Sequence, residues 1–242
     1  MQFGFGSGVL YATRTDIALQ GPVRFGAFQD LQLSFTGEVK ELFGQNQFAL
    51  DVARGKVKIE AKAKFAQISA PLFNAVFFGG TIAAGQTLAQ YAEAGTVPAV
   101  STYIITTSKS ATWVSDLGVY DAATGNPYTK VVSAPTTGQY TAAAGVYTFA
   151  AADASKAVLI DYIYTAVGGF TMASGNPLMG NTPRFSCVFA QIYGGNTTTI
   201  TMPQCVGNKL TLPTKQDDYV IEEFDFQAFG GAGSPITLST TQ

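Results

Sequence analysis

From Lys56 to Phe65 the chain reads Lys-Val-Lys-Ile-Glu-Ala-Lys-Ala-Lys-Phe, with charged and apolar residues alternating without a break. Side chains of an extended strand point to opposite faces with a period of two, whereas a helix would scatter these residues around its circumference. The segment is therefore predicted to be a β-strand with one charged face and one buried face, and such a strand calls for antiparallel neighbours with the same alternation. Two segments supply it. Phe25 to Thr36 sets Phe25, Ala27, Leu31, Leu33 and Phe35 against Asp30, Gln32, Ser34 and Thr36, and a later stretch sets Phe224, Phe226 and Ala228 against Glu223, Asp225 and Gln227. The expected fold is all-β, a sandwich or partial barrel of antiparallel strands.

One short flanking α-helix is expected after the lysine strand. Ser69 can cap it, Pro71 is tolerated in its first turn, Leu72, Phe73, Val76 and Phe77 form an apolar stripe, and Gly79-Gly80 ends it. Two to three turns are not stable alone. The helix, or an opposing sheet, should therefore cover the face carrying Val57, Ile59, Ala61, Ala63 and Phe65.

From about Thr112 to Ala166 the texture changes to short strands separated by turn signals, such as Thr124-Gly125-Asn126-Pro127 and Ala143-Ala144-Gly145, and Val158 to Tyr164 alternates again. This reads as an inserted β region, 112–166, in a core made of 25–111 and 167–229. The turn Ser174-Gly175-Asn176-Pro177 echoes the one at 124, but their flanks differ, so they are two similar turns and not a repeat. The ends, 1–24 and 230–242, read as arms rich in Gly, Ser and Thr. A length of 242 residues fits one large β domain or one domain with an insertion.

Only 12% of the chain is charged against 47% apolar, where roughly 25% charge is usual. The surface must consist largely of Thr, Ser, Gly, Gln and Ala, which suits a protein covered by copies of itself. A net charge of -2 and a pI near 5.1 argue against a protein that grips nucleic acid, though not against one that lets DNA slide past. The longest uncharged stretch, Phe65 to Ala92, is interrupted by Pro71, Asn74, Gly79, Gly80 and Gln86 and is not a membrane span. No basic segment followed by an apolar run opens the chain, so no secretory signal is expected. Cys187 and Cys205 are then expected to stay reduced.

The chain contains no histidine, which excludes Ser-His-Asp and Cys-His catalysis and most zinc or iron sites. There is no Ser-x-x-Lys. Asp217, Asp218, Glu222, Glu223 and Asp225 form the one acidic cluster; in a strand Glu222 and Glu223 face opposite ways, leaving Glu223 and Asp225 as a same-face pair. That pair reads as a solvated or interface face and not as a glycosidase. No spaced Asp-x-Asp-x-Asp loop offers a calcium site, and Gly4, Gly6 and Gly8 lack the preceding strand of a dinucleotide loop. Asn196-Thr197-Thr198 matches a glycosylation triplet but has no secretory context. The expectation is no enzyme, no cofactor and no metal.

Arg54, Lys56, Lys58, Lys62 and Lys64 hold five of the 14 basic residues. No aromatic residue interleaves on that face to stack bases, and a basic lining would hold phosphates. Pairing with acids is expected instead, including Glu223 and Asp225 of the same or a neighbouring subunit. Between the first two alternating segments runs Lys40 to Leu50, longer than a tight hairpin needs. It carries Leu42, Phe43, Phe48 and Leu50, with Gln45 among them, and reads as a loop that docks on another subunit, helped by the two terminal arms, the alternative being a loop folded back on its own subunit.

These residues carry a resemblance. Pro22-Val23-Arg24-Phe25-Gly26, then Leu31-Gln32-Leu33-Ser34-Phe35, then Lys40-Glu41-Leu42-Phe43-Gly44-Gln45-Asn46-Gln47-Phe48, the lysine strand and the helix resemble the tail tube (major tail) proteins of long-tailed bacteriophages. The stretches Leu117-Gly118-Val119, Gly138-Gln139-Tyr140, Gly145-Val146-Tyr147-Thr148-Phe149 and Ile160-Asp161-Tyr162-Ile163-Tyr164 are similar to segments of phage structural proteins, as is the closing run from Asp218-Tyr219 to Phe224-Asp225-Phe226. The resemblance covers most of Pro22 to Phe229. It implies a β-sandwich flanked by a helix, six subunits joining their inner sheets into a ring barrel, and rings stacked around a tape-measure protein in contact with other tail proteins. Double-stranded DNA would pass through the lumen without specific binding. The implied location is the virion tail, after synthesis in the host cytoplasm. The 112–166 region exceeds what the family's minimal fold needs.

Other readings differ in testable ways. A distal tail piece, tail-end cap or head decoration protein would not form long open polymers. A carbohydrate-binding adhesin would expose aromatics near loop Asp or Asn, whereas Trp113, the only tryptophan, lies in a strand-like context and is expected in the core.

Overall fold

The lysine alternation lies in the inner half of a 17-residue strand. The computed structural model describes residues 6, 8–67, 69–231 and 233–241. In chain order the strands are β1 (Val9–Arg14), β2 (Val23–Arg24), β3 (Phe28–Phe43), β4 (Ala49–Phe65), β5 (Thr81–Thr96), β6 (Ile104–Thr106), β7 (Trp113–Asp121), β8 (Thr129–Lys130), β9 (Gln139–Ala143), β10 (Val146–Phe149), β11 (Ala157–Ala173), β12 (Arg184–Tyr193), β13 (Asn196–Thr211), β14 (Glu222–Ala228) and β15 (Thr237–Thr240). The chain divides into two compact units, 1–82 with 172–242, and 83–171.

The first unit is an antiparallel sheet in the order β2-β1-β12-β13-β14-β4-β3, with β15 added on β13. Ile59, Ala61, Ala63 and Phe65 of β4 are buried, as are Phe224, Phe226 and Ala228 of β14, while the charged residues between them face outward. The sheet curls without closing. Phe25, just after β2, packs edge-on against Phe65 at 5.0 Å between ring centres, and Phe28 of β3 lies 6.1 Å from Phe189 of β12, so residues from both ends of the strand order share one core.

The helix α1 (Ala70–Phe73) starts where the cap signal put it, with the Leu72 amide donating to the Ser69 hydroxyl at 3.4 Å. It then widens into a π-helical turn, Asn74–Phe78, ended by Gly79 at φ +62°. The wider turn lets Gly79 N reach Asn74 O at 2.9 Å, and the Asn74 amide donates to Gly80 O at 3.1 Å. Leu72, Phe73 and Val76 are buried and Phe77 packs partly buried against the same core. Gly207 of β13 permits this seating, because a Cβ there would stand 2.7 Å from Val76 O.

Several boundaries differ from expectation. The stretch read as an N-terminal arm contains β1 and β2, with Leu10 and Ala12 buried; Gly and Thr content masked a short alternating strand. Residues 1–5 and 7 of that stretch lie outside the described residues. The C-terminal arm contains β15, which pairs with Thr198–Thr201. The strand expected from Phe25 begins at Phe28, because Ala27 adopts φ +45° and turns the chain; Phe25 is buried before the turn, and Phe35 is exposed. Val57 is also exposed, so the buried face starts at Ile59.

The second unit takes in 112–166 and extends to 83 and 171, because β5 and β11 are its long strands. One sheet has the order β5-β11-β7 and the other β6-β10-β9-β8. Val119, Val158, Ile160 and Tyr162 from the first meet Tyr140, Tyr147 and Phe149 from the second in one core, and Trp113 packs half-buried against it. The β9–β10 turn uses Ala144 and Gly145 at φ +48° and +75°, the conformation that a two-residue hairpin of this twist requires. Carboxylates tie its loops. Asp121 accepts from Ala123 N and Thr124 N at 3.0 and 2.8 Å, and the fully buried Asp153 holds Gly138 N at 2.9 Å and Lys156 at 2.7 Å.

Candidate assembly surface

β3 and β4 pair over their whole length, and their outer halves leave the body of the first unit. Inside the row Phe35–Ile59 one face of the hairpin is buried; from Thr36 to Lys58 every residue is exposed apart from half-buried Ala49. The expected loop from Lys40 to Leu50 is thus mostly strand. Only Gly44 to Phe48 connect the strands, because the alternation persists through Lys40-Glu41-Leu42 and the ladder continues to Phe43.

A β-bulge changes which residues share a face of the hairpin. Gly37 faces Val57 and Val39 faces Arg54, so Gly55 and Lys56 together oppose Glu38. The extra residue changes the parity of β4, so Arg54, paired with Val39, and Val52, paired with Glu41, join the face of Val57 and Phe35; Arg54 is thereby removed from the lysine face on which the alternation alone would place it. That face carries the exposed apolar residues Phe35, Val39, Val52 and Val57, interrupted by Glu41 and by Arg54, whose side chain lies over Gly37. At the tip, Leu42, Phe43, Phe48 and Leu50 are all exposed, Phe48 to 84%. Gln45 is exposed beside them.

On the charged face Lys62 reaches Glu223 at 2.7 Å and Lys64 reaches it at 3.5 Å. The hydrogen bond from Lys62 draws the Glu223 carboxyl below its ordinary value, and Glu223 raises the Lys62 ammonium in turn. Asp225 faces Lys62 in the ladder but makes no salt bridge within 4 Å among the described residues, and its buried Oδ1 has no hydrogen-bond partner. Lys56 and Lys58, on the projecting part, make no ion pair among the described residues. Glu222 turns the other way and is 1% exposed, so the structure groups Glu223 and Asp225 with Lys62 and Lys64 and separates Glu222 from them.

A second exposed group was not evident from periodicity, since it lies in irregular loops. Ile17 and Leu19 sit in the loop 15–22, Leu178 and Met179 in the loop 174–183, and all four are exposed. Beside them Arg14, itself buried, donates from Nε and Nη2 to Asp16 at 2.9 and 2.5 Å. That hydrogen-bonded pair lowers the Asp16 carboxyl and raises the guanidinium. The only sequence signal was apolar residues placed among Gly, Pro and Asn.

Cys187 and Cys205 are free thiols, both buried; burial, then the neighbouring Cys205, pushes Cys187 up. Among the described residues no group of three or more Cys, Asp or Glu is placed to hold a metal ion, and no helix is long and apolar enough to cross a membrane. In comparison with known proteins, no family model and no curated sequence matches the chain.

Proposed function

We propose that this chain is a structural subunit that polymerises as stacked rings into the tail tube of a long-tailed bacteriophage, and that it has no catalytic role. The observation that carries the reading is the β3–β4 hairpin, which projects from the first unit with Phe35, Val39, Val52 and Val57 exposed on one face and Leu42, Phe43, Phe48 and Leu50 exposed at its tip. A soluble monomer seldom groups this many large apolar side chains in the open. A long strand at the end of a sheet, as β3 is, also invites pairing with other strands, and ring closure removes that hazard. The low charge of the surface agrees with coverage by other copies. Tape-measure protein and passing DNA would meet the lumen of such a tube.

Negative-stain electron microscopy of the purified protein tests this. Tubes with a regular axial repeat are expected at high protein concentration. A protein that stays monomeric, or forms only a closed particle, would count against the tube.

A further inference from the structure

We propose that the hairpin tip of one copy docks on the loops 15–22 and 174–183 of the next copy, with the Arg14–Asp16 pair as the polar centre of the acceptor. This inference rests on the polymer reading and names the surface that receives the tip.

The ladder places tip and acceptor at opposite ends of the sheet. Phe35 faces Ile59, Ile59 faces Ala228, Ala228 and Cys205 are partners, Cys205 faces Phe185, and Phe185 faces Arg14. On one side of that row β3 and β4 continue to the tip. On the other, β1 runs into the loop 15–22 and β12 is entered from the loop 174–183. A surface at one end that fits a different surface at the other makes a head-to-tail contact, which propagates instead of closing on itself.

The two surfaces also match in chemistry. Both loops open onto a cavity of about 230 Å³ lined by Arg14, Asp16, Asn181 and Thr182 between Pro177 and Pro183, room for a side chain but not for a large ligand. An arginine–carboxylate pair presents donors and an acceptor side by side, the complement of a primary amide, which carries one of each. The tip offers three amides in a row, Gln45, Asn46 and Gln47, flanked by Phe43 and Phe48. The acceptor flanks its polar centre with Ile17, Leu19, Leu178 and Met179. A specific contact needs about 800 Å² from each partner. A buried aromatic contributes roughly 150–250 Å², so Phe43 and Phe48 supply much of the tip's share, and the four exposed aliphatic side chains of the acceptor lie opposite them around one polar anchor.

The test uses the full chain in three forms: wild type, an acceptor variant with Leu19→Asp and Met179→Asp, and a tip variant with Phe43→Ser and Phe48→Ser. Leu19 and Met179 are fully exposed, so the acceptor variant should melt at the wild-type temperature; Leu178→Asp is the reserve if it does not. Sedimentation and electron microscopy should show that each variant alone stops at subunits or single rings. An equimolar mixture should yield a two-layer species that neither gives alone, since each supplies the surface the other lacks. Wild-type tubes together with full-length tubes from the acceptor variant would overturn this inference and leave the polymer reading standing, as would a mixture with no new species. A wild-type protein that never polymerises would overturn both.

Discussion

The Tyr147 hydroxyl donates to the Asp116 carboxylate at 3.1 Å, crossing from one sheet of the 83–171 unit to the other. Tyr140 donates to the second oxygen at 2.8 Å, Lys130 lies 3.0 Å away, and the Trp113 ring N–H reaches the Tyr147 hydroxyl at 3.3 Å. Burial, with Asp116 close by, holds both phenols well above their ordinary value. Replacing Asp116 by Ala strands two buried hydroxyls, at about 1–3 kcal/mol for each unsatisfied group. Thermal melting followed by near-ultraviolet circular dichroism should show a loss of that order, and a smaller one for Asp116→Asn.

Ile59 and Val57 share a face of β4 but differ in cover, at 6% and 48% exposure. Ile59→Asp would force a charge into an apolar core and should cost several kcal/mol, on the scale of about 2–7 kcal/mol for an unpaired polar group and more for a charge. Val57→Asp should change stability by no more than about 0.5 kcal/mol. Under the assembly reading it should still impair polymers. Denaturant melts and sedimentation of the two variants separate these effects, and a normally folded Ile59→Asp would show the register to be wrong.

Phe43→Ser with Phe48→Ser removes apolar surface that the isolated subunit leaves exposed. The expected result is an unchanged melting temperature with few or no tubes by electron microscopy. Unfolding of the subunit would mean that the tip folds back for its own stability.

The Lys62–Glu223 pair lies at an exposed, solvent-screened surface, so Lys62→Ala should leave the melting temperature nearly unchanged. A double-mutant cycle with Glu223→Gln measures the coupling, which should shrink as salt is added.

Acid should destabilise the 83–171 unit through Glu93. Burial pushes this carboxyl up, but hydrogen bonds from the Tyr162 hydroxyl at 2.5 Å and from Ser108 N and Oγ at 2.7 and 3.0 Å outweigh it, leaving Glu93 below its ordinary 4.5. A depressed carboxyl contributes stability that is present above its unfolded pKa and lost as the pH falls through the folded one. Melting temperature should therefore be level near neutrality and fall below about pH 4.5, and Glu93→Gln should flatten part of that slope.

What the sequence determined was local. The alternation at Ile59 to Phe65 and at Phe224 to Ala228 fixed which faces are buried, and Ser69 and Gly79 fixed where the helical segment starts and stops, because strand pleat and cap geometry act over a few residues. The apolar character of Phe43 and Phe48 was equally plain. Tertiary structure decided the rest. Whether an apolar face is covered depends on partners far away in the chain, so Ile59 and Val57, alike in pattern, part company where the sheet ends. The bulge opposite Glu38 that brings both Val52 and Arg54 onto the face of Val57 is set by strand pairing, and strict alternation would have placed Arg54 with the lysines. The meeting of loops 15–22 and 174–183 beside Arg14 and Asp16 follows from β1 pairing with β12, a contact between segments more than 170 residues apart. No local pattern encodes such a contact, because it is selected by the free energy of closing the whole sheet over its core.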